Sequence, residues 1–536
     1  MENISDRYPD IPSDKFKVVG ARYMAEQKEN THKSIGYFED AFGRFKKNKA
    51  SILALAIIIC ILLFAILTPL LQITHPIDFL DPYYAKMGPR IEWVRNTLGV
   101  LGGGRKNNLT ERRLIYLYGI GAASVGKRTE TASFLDVPKE YLPILSYEYS
   151  KLGAGGKTMY EAVVDSYLEV GFIYMNISPE EYDNIVEYEL ESGNSVLFPL
   201  ISDNEYNPAP DNANYWYMAD SRANPVRAVY ATDTEGAVLL DELGRPEILY
   251  TEQLSFGEDM TLSDNYKKDS EGNPIYYEPS GSSSDSQRRV RVLYYNYFKY
   301  KNGAAPNYIL GTDSQGYDLA ARTAGGIALS LFIAVSVSLI NLVIGALYGA
   351  AAGYYGGGVD LVMSRITDIL AGVPAIVVQT LFQIHLAERV GVLVSLLFAF
   401  VLTGWIATAL RVRTQFYRFK GSEYVMSART LGATDRRIIW KHIFPNTLGT
   451  LITASVLVIP GVIFTESMLS FLGIVNLGTS EITSLGTLLS EASGIWTNYP
   501  HLMLVPALVI SLLMISFNLF GNGLRDALNP SLRGAE

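Results

Sequence analysis

Residues 421–446 read GSEYVMSARTLGATDRRIIWKHIFPN, a polar and basic interruption between two long apolar runs. Capping chemistry predicts two short helices here: Ser422 is placed to cap the first, Gly432 suits the left-handed stop after it, Thr434 caps the second, and Pro445 ends it. Val425, Ala428 and Leu431 recur at helical spacing on the first piece, and Ile438, Ile439 and Ile443 form an apolar stripe on the second. Arg429, Arg436, Arg437 and Lys441 stay available to water or to a partner. A helix, a Gly corner and a helix make an element that can lie on a membrane surface and fit another protein's groove.

Around this stretch the apolar residues are concentrated in long runs with few or no charges, at about 327–352, 365–386 and 390–410 before it and 447–474 and 501–524 after it. With residues 50–73 they make six runs, each long enough to cross a bilayer. The expected fold class is mainly α, a polytopic membrane protein with six transmembrane helices. Residues 73–326 carry 23 Lys plus Arg against 36 Asp plus Glu, while the rest carries 22 against 18. Residues 411–446 hold eight basic side chains against Glu423 and Asp435, whereas 475–500 hold Glu481, Glu491 and no base. Basic loops stay inside, so both termini and the 421–446 loop are expected in the cytoplasm and the acidic middle outside it. The domain expectation is a cytoplasmic tail at 1–49, a first span at 50–73, an inserted α/β extracytoplasmic domain at 74–310, and a core with the remaining spans at 311–536. Residues 1–49 are too long for a leader, lack a small-residue cleavage site, and close with Arg44, Lys46, Lys47 and Lys49 as an anchor.

The insert is Tyr-rich and acidic. Ser178, Pro179 and Glu181 predict a helix start running toward Glu191 and Gly193. AVYATDTEGAVLLDELGRPEILYT (228–251) reads as short strands with turns at Glu235–Gly236 and Leu243–Gly244, RVRVLYYNYFKY (289–300) reads as a strand, and 280–286 as a loop. KLGAGGKT (151–158) ends like a phosphate-binding loop, but Lys151 occupies the position of the required first Gly, and GIGAASVG (119–126) lacks dinucleotide spacing. The single Cys60 lies in an apolar run and the five His form no ligand spacing, so no disulfide, metal or cofactor is expected. No basic, aromatic-interleaved patch points to nucleic acid, and no nucleophile, base and oxyanion grouping points to an enzyme.

The 421–446 stretch resembles the EAA loop of ABC importer membrane subunits. Ala428, Gly432 and Pro445 fall at that loop's spacing, while Met426 stands where the family has Glu and Ser427 where it has the first Ala. YVMSARTLGATDRRIIWKHIFPN is similar to the C-type permease of oligopeptide and dipeptide importers. SIGYFEDAFGRFKKNKASILALAI (34–57) and FGNGLRDALNPSLRG (520–534) resemble its first and last segments, Asn522 replacing an Asp. LGTDSQGYDLAARTAGG (310–326) resembles its signature before the second span, matching at Gly311, Thr312, Asp313, Gly316, Asp318 and Arg322 and departing at Tyr317 and Ala321. FTESMLSFLGI, around Glu466, is similar to a fifth-span segment of the same subunits.

The resemblance implies a permease subunit in the bacterial cell membrane that forms half of a translocation pathway. It implies a second homologous permease, two cytoplasmic ATPases that hydrolyse the ATP, an extracytoplasmic solute-binding protein, a surrounding lipid bilayer and a peptide substrate. Nickel chelates or another small solute are the alternative cargo; a membrane-anchored receptor or sensor and a secondary transporter are the rival readings. ATPase coupling would fall to Tyr424, Val425, Ala428, Arg429, Leu431, Gly432, Ala433 and Pro445. Glu466, Asn341 and Gln379 are pathway candidates, with Gln383 and Asn518 of the same kind, and each of these also suits helix packing. Asp313, Asp318 and Arg322 are external gate candidates; Thr312 or Asp313 is expected to cap a short helix, with Asp318 and Arg322 paired one turn apart. Arg365 and Asp368 are expected to pair or snorkel. The insert could dock the binding protein or be a stabilising decoration.

Overall fold

The computed structural model describes residues 37–71, 74–91, 105–110, 143–152, 158–200, 269–280, 287–479 and 482–528, with short pieces at 94, 117, 229–230, 248–249 and 267. Helix α1 (Tyr37–Lys47) leads into α2 (Lys49–Leu70), which Asn48 caps by accepting the Ser51 N–H. α2 turns Ser51, Ala54, Ile58, Ala65 and Thr68 inward and leaves Leu53, Leu63, Ile66 and Leu70 exposed. A helix with small residues inside and large apolar ones outside is built for lipid.

The insert contributes two larger sheets. β1 (Arg105–Thr110), β2 (Ile144–Leu152) and β3 (Thr158–Val164) form one antiparallel sheet with β3 central. The residues after KLGAGGK thus enter a strand, where a phosphate-binding loop needs a helix N-terminus. β4 (Phe172–Ile177) is followed by α3 (Pro179–Ser192), whose cap Ser178 accepts the Glu181 N–H at 3.1 Å and whose stop is Gly193 at φ 70°. β5 (Leu197–Phe198) and the pair β6 (Val229–Tyr230) and β7 (Ile248–Leu249) precede β8 (Tyr277–Ser280) and β9 (Gln287–Leu293). β9 is the centre of the second sheet, with β4 on one side and β5 and β8 on the other. Val290 and Val292 of β9 pack with Ile177, Ile185 and Val196 beneath α3.

The strand expected over 289–300 ends at Leu293 and continues as helix α4 (Tyr294–Asn302), stopped by Gly303 at φ 69°. Tyr294, Tyr295 and Phe298 are buried at helical spacing, so packing overrides their strand preference. The turns expected at 235–236 and 243–244 and the segment 119–126 lie outside the described residues, as does the loop expected at 280–286 apart from Ser280, which ends β8.

The bundle follows. α5 (Leu319–Tyr355) has 37 residues, which at about 1.5 Å each makes a rod longer than the hydrocarbon core is thick. It is therefore long enough to extend beyond the apolar layer. The third expected span is instead two helices, α6 (Gly357–Ala371) and α7 (Ala375–His385), bent by 72°. Gly372 and Pro374 sit at the break; proline has no N–H for the helical ladder and restricts the residue before it. α8 (Val392–Lys420) turns at Trp405 and runs against α5, where Gly345, Gly349 and Gly353 leave no room for a side chain. An added Cβ would stand 2.7 Å from Thr408 Cβ, Val412 Cβ and Phe416 Cβ in turn. α9 (Glu423–Thr430), α10 (Asp435–Phe471), α11 (Leu485–Ala492) and α12 (Pro500–Leu528) complete the chain. Among the described residues five helices are long and apolar enough to cross a membrane, and a sixth span is counted if α6 and α7 cross together.

Candidate functional site

At one end of the bundle, residues 421–446 fold as two helices around a corner. Ser422 holds the first cap position, but its hydroxyl donates back to the Phe419 carbonyl at 2.7 Å. Gly432 adopts φ 82°, the Gly432 N–H bonds the Arg429 carbonyl, and the Ala433 N–H reaches the Ala428 carbonyl at 3.0 Å. This is a Schellman stop, which closes helix carbonyls and needs a left-handed residue at the corner. Thr434 then caps α10 by accepting the Arg437 N–H.

Pro445 does not end the second helix. The chain passes through a wide π turn at Ile438–Ile443 and continues along α10, with Pro445 in the first turn after it. A π turn reroutes the ladder, so the missing proline N–H falls where the register changes. Val425, Ile438 and Ile443 are buried against Ala346, Ala350, Tyr354, Val412 and Phe416 of α5 and α8, with Ala433 half-buried beside them. Leu431, expected on the same stripe, leaves it: the corner turns Leu431 into solvent at 88 % exposure. Tyr424 and Met426 are also exposed. Arg429 is held rather than free, donating to the Tyr354 hydroxyl at 3.1 Å. Asn446 ties the two helices, donating to the Tyr424 hydroxyl at 3.3 Å and the His442 carbonyl at 2.8 Å.

The opposite end holds the acidic and basic residues of 310–326. Asp313 Oδ1 accepts the N–H groups of Gln315, Gly316 and Tyr317, each at 2.9 Å, and so shapes a loop instead of capping a helix. Asp318 is the cap of α5: its Oδ1 accepts from Ala320 N and Ala321 N, and its Oδ2 accepts the His75 N–H at 3.2 Å. The expected Asp318–Arg322 pair is replaced, because the carboxylate is already occupied by backbone donors. Arg322 lies 3.5 Å from Asp313 Oδ2 and 3.8 Å from Glu491 Oε1, and donates to the Thr479 carbonyl at 2.6 Å. Burial pushes the Asp318 carboxyl up to about 6, outweighing the N–H donors that favour its charge. Burial also raises Glu491, against the Arg322 charge. Thr312 Oγ1 accepts the Met87 N–H at 2.8 Å and stitches this end to the insert.

Within the bundle, Glu466 is fully buried and accepts from Ser330 at 3.1 Å and Ser470 at 3.2 Å, between α5 and its own helix. Asn341 is buried where α5 passes Gly404. Gln379 is buried on α7, and Gln383 donates to the Val392 carbonyl at 3.4 Å. Asn518 bonds its own helix at Met514. Arg365 and Asp368 pair in the open at 3.3 Å. The structure brings together the 421–446 residues and, separately, Asp313, Asp318 and Arg322; it does not bring Glu466, Asn341 and Gln379 to one cavity among the described residues.

Sequence reasoning missed Tyr354, Glu491, the Gly345–Gly349–Gly353 stripe, and Asp360, which takes Arg413 at 2.5 and 2.7 Å and the Tyr417 hydroxyl at 2.8 Å. Four-residue glycine spacing was the readable signal for the stripe; the others are contacts distant in sequence and left none.

Residues 343–534 match the family described as binding-protein-dependent transport system inner membrane component. Residues 36–89 match the N-terminal TM domain of oligopeptide transport permease C. The chain is 40 % identical over 224 residues to the oligopeptide transport system permease protein OppC of Bacillus subtilis, covering 42 % of this chain and 72 % of that one. It is 40 % identical over 229 residues to the dipeptide transport system permease protein DppC of the same organism, covering 42 % and 68 %. The glutathione transport system permease protein GsiD of Pectobacterium atrosepticum is 34 % identical over 242 residues, 45 % and 78 % of the two chains. A solved inward-facing MetNI methionine ABC transporter aligns at TM-score 0.32 and 17 % identity, over 38 % of this chain and 94 % of that one. The chain therefore belongs to the binding-protein-dependent transport system inner membrane components, as a multi-pass permease of the oligopeptide and dipeptide ABC type.

Proposed function

We propose that this chain is one half of the translocation pathway of an ATP-driven peptide importer. A second, homologous permease completes the pathway, one of two cytoplasmic ATPases docks on residues 421–446 of this chain, and an extracytoplasmic binding protein delivers peptide to the insert end. The reading rests on Leu431. Both helices of the loop bury their backs in the bundle, while Leu431 stands 88 % exposed at a fixed corner, and Met426 of the first helix is exposed as well. An apolar knob held rigidly in water is suited to insertion into another protein's groove. The eight basic residues of 411–446 support a cytoplasmic position for it. The relatives' printed substrates, oligopeptides, dipeptides and glutathione, support a peptide over a metal chelate.

Purification of the assembled importer tests this. Leu431→Asp is expected to release the ATPases and lower stimulated ATP hydrolysis by about tenfold or more, with the chain still inserted. ATPases retained at the wild-type ratio with full stimulation would contradict it.

A further inference from the structure

Tyr354 is the penultimate residue of the rod α5, and its surroundings set it apart from the other aromatic residues of the bundle. Its ring is buried in the cluster that holds Val425 of α9 and Ile438 and Ile443 of α10. Its hydroxyl emerges between the two loop helices. There it donates to Asp435 Oδ1 at 2.5 Å and accepts from Arg429 Nη2 at 3.1 Å. Arg429 closes the last turn of α9, and Asp435 opens the first turn of α10. Among the described residues no ion pair joins Arg429 to Asp435 directly, so one hydroxyl, used once as donor and once as acceptor, connects both helices to the rod. Both bonds have a charged partner, which makes them stronger and more directional than neutral ones.

The rod is fixed immediately behind this point. Gly353 lies against Phe416, its carbonyl accepts from Lys420 at 3.1 Å, and Asp360 holds Arg413 and Tyr417 across the turn after α5. A displacement of the loop relative to α8 must therefore either carry Tyr354 with it or break its two hydrogen bonds.

We propose that the Tyr354 hydroxyl is a positioning latch that sets both helices of the 421–446 loop in register with α5, so that a push on the loop moves the rod. This rests on the coupling role given to the loop above, and it assigns to Tyr354 a part in transmission without contact to ATPase or substrate. Tyr354→Phe is the discriminating variant, because it keeps the buried ring and removes only the two bonds.

The test uses the complete importer in lipid nanodiscs, with ATP hydrolysis stimulated by the binding protein loaded with a tetrapeptide. Tyr354→Phe is expected to co-purify with its ATPases in the wild-type ratio and to keep its KM for ATP. Stimulation is expected to fall by about tenfold, and hydrogen exchange in 423–437 to rise while that of 343–350 stays unchanged. Tyr354→Phe combined with Asp435→Ala is expected to be no worse than the more impaired single variant, since the bond that Asp435→Ala removes is one of the two already lost in Tyr354→Phe. Wild-type stimulation in Tyr354→Phe, additive losses in the double variant, or loss of assembly would each overturn the latch. Leu431→Asp in parallel separates the two ideas: if it leaves the ATPases bound, the docking role fails whatever Tyr354 does, and if it releases them while Tyr354→Phe behaves as wild type, only the latch fails.

Discussion

The two ends of α5 are attached to their surroundings in opposite ways. At the insert end the attachments are many and enclosed. Arg90, with no exposed surface, donates to Asp165 Oδ2 at 3.3 Å, to the Tyr295 hydroxyl at 3.0 Å and to the Pro306 carbonyl. The Tyr294 hydroxyl bonds Asp81 at 2.6 Å, and Tyr84, Tyr167, Phe298 and Tyr308 pack edge and face around them. Thr312 and Asp318 then carry this unit directly onto the start of the rod. At the loop end the polar attachments are few and half-exposed, and the loop presents its apolar tip outward. Breaking an enclosed charge pair costs several kcal/mol and breaking an exposed one under about one. The insert end is therefore a mount and the loop end a joint.

Arg90→Met tests the mount and carries the largest expected effect. It leaves the Asp165 carboxylate buried without its cation, at a cost of about 3–5 kcal/mol, so proteolysis of the insert should become rapid in otherwise intact membranes. An insert as resistant as wild type would show that the mount lies elsewhere. Next comes pH. The folded carboxyl of Asp318 sits at about 6 against an ordinary value of 3.8, so the native state holds its proton more tightly than the unfolded one. Its stabilising effect is fully present below about pH 4 and is lost as pH rises through 6, over a range worth at most about 3 kcal/mol. Asp318→Asn keeps a capping oxygen and should flatten the stability of the purified chain across that window; an unchanged slope would remove Asp318 from the account.

The corner offers a smaller effect. Nothing lies within 4 Å of an added Cβ at Gly432, so only its φ of 82° resists substitution. That conformation costs most residues about 1–2 kcal/mol and Asn least. Gly432→Val should abolish stimulated ATP hydrolysis without preventing insertion, while Gly432→Asn keeps most of it. Equal loss in both would mean that the requirement is for space rather than backbone shape. Smallest is Arg365→Ala, which removes an exposed pair and should shift stability by less than about 1 kcal/mol.

Much of the loop end was legible because its signals are local. The left-handed corner at Gly432, the Thr434 cap and the buried Val425, Ile438 and Ile443 follow from spacing and capping chemistry within a few residues. The helix start at Ser178 was legible for the same reason. Leu431 was misplaced because a Schellman corner rotates its last residue off the helical stripe, and Pro445 because a π turn cannot be told from a helix end by composition. The pairing of Arg322 with Glu491, the seat of Arg90 and the Tyr354 node join residues far apart in the chain, which no local pattern encodes.

The claim that the loop faces the cytoplasm and is covered there by an ATPase is tested most directly by labelling. With Cys60→Ala to remove the native thiol and Leu431→Cys to supply one at the corner, a membrane-impermeant maleimide should leave intact cells unlabelled. It should label inside-out membranes stripped of ATPase, and label them poorly when the ATPases are bound. Labelling of intact cells from outside would contradict the orientation and the coupling role together.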